Sequence, residues 1–526
     1  MLGAAFPPSP LYLIAYVAFI PFFFLWQRVA SLGQFIRFLY VQLFAFHLVC
    51  VYWTGAWASG KDNWLIISNV ALLTLHPFFF IPFLLPAYVV GKRLGHSWGL
   101  AAFSLLWVSA EYWNAFGELS FPWMTIGNSQ AFDIARIQLV EYTSVYGLSL
   151  IILTCNVVLF LLLTRAKDEW KPSSAKGKIA IAALLMMFFG PLVYGRILLS
   201  SRATTSAGGV KLALVQPNFD PWEKWGEGSA AKAASYETQF QTYLTTSSEL
   251  AREQPDLIVW PETAVPFFVL LPRNKAELAR VRTFVDSAHV PVFTGVVHAE
   301  YFDASKASAT AYRFEGTNVA VEHYNSATLF TPGQSRYQVY KKVVLVPFGE
   351  RLPYADTFKF LIEPLKWNVG ISSWGKGADT LVYSFKPRAG DSVKFAGMIC
   401  YESVYPNYVR EFVRRGAQFL IVITNDSWWG KTSGAYQHAA FASFRAIETR
   451  RWIVQCANGG VSMFTDPDGV QRQSLEMFTK GNLTGTVEPR SGETFYVRHG
   501  DLFAQACVAG SVAILFIATI RRKKTV

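Results

Sequence analysis

Phe395-Ala396-Gly397-Met398-Ile399-Cys400-Tyr401-Glu402 runs from an apolar, strand-like segment straight into a thiol and a carboxylate. Runs of the same style recur at 210–215, 257–260, 290–297, 419–424 and 452–456. They are short, rich in β-branched residues, and several are bounded by turn formers, as buried strands are. Helical patterns lie between some of them, at 230–253 and 274–288. Buried strands interleaved with helices predict an α/β sandwich with a mainly buried sheet. The segment 209–495 is long enough for one sizeable core.

The flanks have a different composition. Of the 84 charged residues, only 19 fall in positions 1–200, and 52% of the 526-residue chain is hydrophobic. A helix needs about 20 apolar residues to cross the hydrocarbon of a bilayer. Seven stretches fit that description, at 11–27, 33–52, 64–90, 98–114, 144–163, 178–199 and 501–520. Glu111 weakens the fourth, while Pro77, Pro82 and Pro86 predict a kink or break in the third. The expected organisation is a helical membrane domain over 1–200, a soluble domain over 209–495 and a final span at 501–520. The net charge of +12 is not read as nucleic-acid binding, because much of the excess sits beside apolar stretches. Arg28 and Arg37, Lys92 and Arg93, the run from Arg165 to Lys178, and the run from Arg521 to Lys524 fall on one side if spans alternate. The positive-inside rule makes that side the cytoplasm, so the 209–495 domain is expected outside. The uncharged opening from Met1 to Pro10 reads as the exit of a further upstream span or as a short translocated tail.

Four strand ends carry chemistry. Leu257-Ile258-Val259-Trp260-Pro261-Glu262 delivers a carboxylate at a strand terminus, suited to act as a base if its proton affinity is raised. Tyr340-Lys341-Lys342 enters the apolar run 343–346, which leaves through Pro347-Phe348-Gly349-Glu350. A lysine there can hold an oxyanion as a compact positive charge. Cys400 supplies a thiol, the strongest ordinary nucleophile near neutral pH once ionised, although free buried cysteines are more often small hydrophobes. Thr424-Asn425-Asp426-Ser427-Trp428-Trp429-Gly430 reads as a pocket wall. Ligand sites in α/β folds favour the carboxyl edge of the strands. The eight histidines form no HExxH or Cys/His spacing, so no metal is expected and no histidine is assigned to the site. No GxGxxG or GxxxxGK[ST] string occurs, so no nucleotide cofactor is expected either.

Glu262, Lys342 and Cys400, in this order and in these strings, resemble the Glu–Lys–Cys triad of the nitrilase superfamily. With the membrane flanks, Val346-Pro347-Phe348-Gly349-Glu350, Cys400-Tyr401-Glu402 and Thr424-Asn425-Asp426-Ser427-Trp428 resemble the apolipoprotein N-acyltransferase family. So do Phe121-Pro122-Trp123 and Gly127-Asn128-Ser129-Gln130 in the membrane part. The resemblance implies a multi-span helical membrane domain carrying an αββα nitrilase-like domain on the periplasmic side of a bacterial inner membrane. It implies N-acylation of the diacylglyceryl-modified N-terminal cysteine of apolipoproteins, with a phospholipid as donor, phosphatidylethanolamine being the expected one. The acyl group would pass through a thioester on Cys400. Glu262 would be the base and Lys342 the oxyanion cation, with Tyr401, Glu350, Glu402 and Asn425 in support. Trp225, Trp428 and Trp429 would line the substrate pocket. A monomer is expected.

Two other classes are open to the same residues. A membrane-anchored amidase or nitrilase would use the triad with water as acceptor, but it needs no lipid groove and one anchor would do. A transporter predicts ionisable residues along a route within the bundle, whereas Glu111 and Arg196 lie near span ends.

Overall fold

Proline placement and polar residues divide the apolar first part into helices of unequal length. The computed structural model describes residues 1–57, 63–165, 170–202, 208–224, 229–361 and 374–520. By contacts the chain separates into two units: Met1–Gly55 with Ile66–Thr204 and Thr494–Val526, and Ala56–Leu65 with Thr205–Glu493.

The first unit begins with 3₁₀ turns at Gly3–Ala5 and Tyr12–Val17, followed by α1 (Ile20–Gln27) with Pro21 in its first turn. Proline is tolerated at that position because its missing N–H would be unpaired there anyway. The 11–27 stretch is therefore a broken segment rather than one long helix. Next come α2 (Leu32–Val51), α3 (Asn63–Leu75), α4 (Pro77–Leu94), α5 (His96–Trp113), α6 (Val140–Arg165) and α7 (Ala175–Ser201). The break expected in the third stretch falls at Pro77, which opens α4. Among the described residues, five helical runs are long and apolar enough to cross a membrane: Leu32–Gly55, Leu65–Leu94, Arg136–Arg165, Ala175–Ser201 and Leu502–Ile520. The fourth stretch forms α5 but is not among the five. Ser104, Ser109 and a buried Glu111 dilute it. Glu111 is satisfied inside the helices by Trp107 Nε1 (2.9 Å) and the Ile126 N–H (2.7 Å).

The second unit carries β1 (Val210–Gln216), α8 (Ser229–Ala251), β2 (Leu257–Val259), α9 (Lys275–Ala288), β3 (Val292–Asp303), β4 (Tyr312–Arg313), β5 (Val319–Phe330) and β6 (Val339–Lys341). It continues with β7 (Val382–Phe385), β8 (Val393–Ile399), α10 (Pro406–Arg414), β9 (Phe419–Thr424), α11 (Ser433–Thr449), β10 (Ile453–Ala457), β11 (Ser462–Thr465), β12 (Gln471–Leu475) and β13 (Gly481–Val487). The chain then returns to the first unit through α12 (Phe495–His499) and α13 (Leu502–Ile520).

The strands form two sheets. One has the order β13-β1-β2-β3-β5-β4 with β6 on β5, the other β12-β11-β10-β9-β8-β7. At the heart of each lies a parallel run, β1-β2-β3 and β8-β9-β10. Parallel strands are covered on both faces and so read as continuous apolar runs; β9, Phe-Leu-Ile-Val-Ile-Thr, is buried at every position. The sheets meet face to face. Phe293 of β3 touches Phe395 of β8 at 5.2 Å between ring centroids. Gly397 faces the same ring, which occupies the space a Cβ would need. Helices α8 and α9 cover the outer face of the first sheet through Phe240, Tyr243, Val281 and Phe284. Helix α11 lies against β10 and β11 of the second. The result is an αββα sandwich in which the ends of β2 and β8 deliver Glu262 and Cys400.

Candidate active site

Strand β2 ends at Val259, and the chain turns through Trp260 and Pro261 to a buried Glu262. Gly295 of β3 makes this turn possible. A Cβ there would lie 2.7 Å from the Pro261 oxygen and 2.8 Å from Glu262 Cα. The Gly295 N–H instead donates to Pro261 O at 3.2 Å. The next residue, Thr263, takes a φ of 46°.

Strand β6 ends at Lys341, Lys342 follows with its N–H on the Asn325 carbonyl of β5 (2.9 Å), and alternation along the extended chain sends the two side chains apart. Lys342 is fully buried. Its Nζ lies 2.8 Å from Glu350 Oε1 and 3.4 Å from Glu262 Oε1. Lys341 leaves the other way, 3.0 Å from Glu300 and over the Tyr324 ring. Asn325, in the middle of β5, ties the two acids together: its Nδ2 donates to Glu262 Oε1 (2.7 Å) and Glu350 Oε1 (3.0 Å). Glu350 Oε2 accepts the Val346 N–H at 2.8 Å. The Glu262 and Glu350 carboxylates therefore share two donors, one of them cationic.

Burial raises the proton affinity of Glu262 and Glu350 adds to it, against the opposing pull of Lys342. Lys342 is also raised. Burial works against its charge, but Glu350, Glu262 and Cys400 more than offset that. Burial and the nearby Glu262 push the Cys400 thiol well up, with Lys342 opposing. The surroundings thus favour a neutral thiol and a charged lysine, and give Glu262 a raised affinity for a proton.

Cys400 itself has a φ of 52°. That region is sparsely populated for a residue with a side chain and persists only where the surroundings impose it. Glu402 supplies part of the constraint. One oxygen accepts from Tyr340 Oη (2.6 Å), Val343 N (2.7 Å) and Val344 N (3.1 Å), the other from Ile399 N (2.8 Å). This buried carboxylate bolts the chain around Lys342 to the chain entering Cys400. Burial raises its proton affinity, and these donors act to lower it.

The remaining expected residues are spread around this centre. Asn425 Oδ1 accepts from Ser427 Oγ (2.6 Å) and Asn458 Nδ2 (3.1 Å), which secures the loop after β9 rather than the triad acids. Tyr401 is buried with its ring edge-on to Tyr405. Trp428 and Trp429 are half-buried, and Trp428 meets the ring of Trp222 at 5.1 Å. Trp225 lies outside the described residues, as do Lys167 and the Arg521–Lys524 cluster.

Two further groups enter from positions the sequence did not mark. Lys224, buried, donates to Thr263 Oγ1 (2.8 Å) and the Glu262 carbonyl (3.2 Å). Burial pulls it down to about 7, against the opposing effect of Glu262. The second group is a histidine, a residue type the sequence reading assigned no place in the site. Helix α11 lies against the turn after Cys400 and brings in His438, 38 positions along the chain. Ligand-type atoms of Cys400, Asp426 and His438 all lie within 4.8 Å of one another. Linear spacing hid this cluster because the fold, not a short motif, assembles it. Within it, Asp426 Oδ1 takes both His438 Nδ1 (2.9 Å) and Thr424 Oγ1 (3.0 Å).

A buried acid, cation and thiol at strand ends of an αββα sandwich define a carbon–nitrogen hydrolase type of site, and the carbon-nitrogen hydrolase family model matches residues 211–494. Residues 1–158 match the model of the apolipoprotein N-acyltransferase N-terminal domain. An apolipoprotein N-acyltransferase of Chlorobaculum tepidum is 35% identical, covering 99% of this chain and 95% of its own. One of Geobacter metallireducens is 31% identical, covering 99% and 94%. Among solved structures, an amidase from Nesterenkonia sp. covers 58% of this chain and 99% of its own, with a TM-score of 0.39 and 14% identity. On its two full-length relatives, the chain belongs to the apolipoprotein N-acyltransferase family, and its apolar helices make it a multi-pass bacterial membrane protein.

Proposed function

We propose that this chain moves an acyl group from a phospholipid to the α-amine of the diacylglyceryl-modified N-terminal cysteine of lipoproteins, through a thioester on Cys400. The observation that carries the reading is the buried cluster of Glu262, Lys342 and Cys400 in a chain whose described residues also hold five membrane-length helical runs.

Glu262 takes the proton from the Cys400 thiol as the sulfur attacks the ester carbonyl of the lipid. The developing oxyanion is held by Lys342 and the Tyr401 N–H. The C–O bond to the lyso-lipid breaks, and Glu262 returns the proton to the leaving oxygen. In the second half the lipoprotein amine enters as the ammonium and loses a proton to Glu262. It attacks the thioester; as the C–S bond breaks the nitrogen gives up its second proton to the Cys400 sulfur, the amide forms, and Glu262 releases the first proton to solvent. Dividing the transfer in two spares the enzyme from aligning both lipid-bound reactants at once. A half-buried, aromatic loop at Trp428 and Trp429 favours an amine over water by keeping the thioester in an apolar setting.

The direct test supplies purified protein in detergent with phosphatidylethanolamine and a diacylglyceryl-cysteine peptide. The peptide should gain one acyl mass while lyso-lipid appears in equal amount. Release of free fatty acid alone, with the peptide unchanged, would favour the membrane-anchored amidase reading, which the names of the full-length relatives do not favour.

The positive clusters support an inner-membrane orientation with 209–495 on the periplasmic side. All five native cysteines are buried, so background labelling is low. In spheroplasts, an impermeant maleimide should label Ser392→Cys, an exposed site in the catalytic unit, and spare Ser173→Cys between α6 and α7. Labelling of Ser173→Cys alone would reverse the orientation. A monomer is proposed as the working unit.

A further inference from the structure

The carbonyl of Cys400 faces a polar assembly that the chemistry above does not use. His438 Nε2 lies 3.2 Å from Cys400 O and 2.7 Å from Ser403 Oγ. Ser403 Oγ itself donates to Cys400 O at 2.9 Å. On the other side of the ring, Nδ1 is held by Asp426 Oδ1, which Thr424 Oγ1 also fixes. His438, Asp426 and Thr424 are all buried.

We propose that His438, braced by Asp426, is a positioning residue. By donating to the carbonyl oxygen of Cys400, it orients and polarises the Cys400–Tyr401 peptide, whose N–H holds the acyl oxyanion together with Lys342. The inference rests on the reading of Cys400 as the nucleophile.

The physical link is the amide group itself. The C=O of Cys400 and the N–H of Tyr401 belong to one planar unit and, in the trans form, point in opposite directions. A donor on the carbonyl draws charge through the amide and makes the N–H a better donor, as linked hydrogen bonds polarise one another. In a buried site that effect is poorly screened. The same contacts have a geometric role. Cys400 sits at a φ of 52°, and Ser403 and His438 converge on its carbonyl, so the strained peptide has little freedom to rotate.

Protonation favours the donor role. Burial alone would strip His438 of its charge, but Asp426 more than offsets this, and its proton affinity is raised. With Nδ1–H committed to Asp426, the second proton rests on Nε2, facing Ser403 and the Cys400 carbonyl. His438 meets the carbonyl end of the peptide whose N–H holds the oxyanion, and so acts through another group.

The test reads the strength of the oxyanion contact directly. Full-length protein in detergent is acylated from phosphatidylethanolamine carrying a ¹³C=O label, and the thioester carbonyl stretch is recorded by difference infrared spectroscopy. Wild type is compared with His438→Gln, which keeps a donor near Nε2 without charge, and His438→Leu, which removes it. The band should rise in frequency from wild type to Gln to Leu, as the hold on the carbonyl weakens. Single-turnover acylation should fall about tenfold in Gln and about 100-fold in Leu, the low end for losing an oxyanion donor. The concentration of phospholipid at half-saturation should stay the same. If Leu does not fold, Gln alone decides. An unshifted band in a folded variant, whatever its rate, overturns the inference and leaves His438 as packing. Absence of an acyl adduct on Cys400 in wild type overturns the nucleophile reading instead, and this inference with it.

Discussion

Cys400→Ala should form no acyl-enzyme. Incubated with phosphatidylethanolamine and no acceptor, the wild-type protein should gain the mass of one acyl group less the hydrogen it replaces, and hydroxylamine should reverse the gain. The thiol is the group that the site is arranged around: Glu262 and Lys342 both interact with it electrostatically. Removing the nucleophile of a covalent enzyme costs on the order of 10⁶ in turnover, so the adduct should be undetectable. The control is Cys456→Ala. Cys456 is also buried, but its Sγ lies between the sheets and donates to Val215 O (3.5 Å) and Val259 O (3.4 Å). It is a packing thiol, and its variant should acquire the adduct as wild type does. Adduct formation by Cys400→Ala would move the nucleophile elsewhere.

How much of this was legible in the sequence follows from what each residue packs against. The central strands β1, β8 and β9 are covered on both faces, so they stand out as apolar runs. The polar residues at their ends stand out by contrast. The edge strand β12 is open to solvent almost throughout, and the edge strand β13 is mostly half-buried. They carry no such run and were not anticipated. Asn325 was missed because it lies inside the long strand β5, where a single amide looks like any other polar strand residue. Only its pairing to both Glu262 and Glu350 shows its place. His438 was missed because it sits on α11, a helix buried along nearly its whole length, where a histidine reads as a core residue. In the membrane part, apolar length alone did not register that Pro21 leaves the first stretch as two short pieces.

Lys342→Ala should fold and insert yet form the thioester about 100- to 1000-fold more slowly, the range for removal of one oxyanion donor. Lys341→Ala should lose little. Adjacent residues of an extended chain face opposite ways, and at the end of β6 the difference is complete. Lys342 is buried between Glu262 and Glu350, whereas Lys341 is partly exposed and pairs with Glu300. A part-exposed ion pair of that kind contributes at most about 1 kcal/mol. Lys342→Ala also leaves two buried carboxylates sharing only the Asn325 amide. One of them should then hold a proton at neutral pH, since like charges in a buried site cannot both stay ionised. The residual acylation should therefore rise toward alkaline pH, as the shared proton is lost and Glu262 regains its capacity as a base. Lys342→Arg restores the charge but not the reach, because a planar guanidinium does not fit a point-charge position between two Oε1 atoms. It should recover the pH profile more than the rate. The measurement is the single-turnover acylation rate of the three variants from pH 6 to 9 at matched protein levels. Near-normal acylation by Lys342→Ala, with Lys341→Ala inactive, would place the oxyanion on the opposite face of β6.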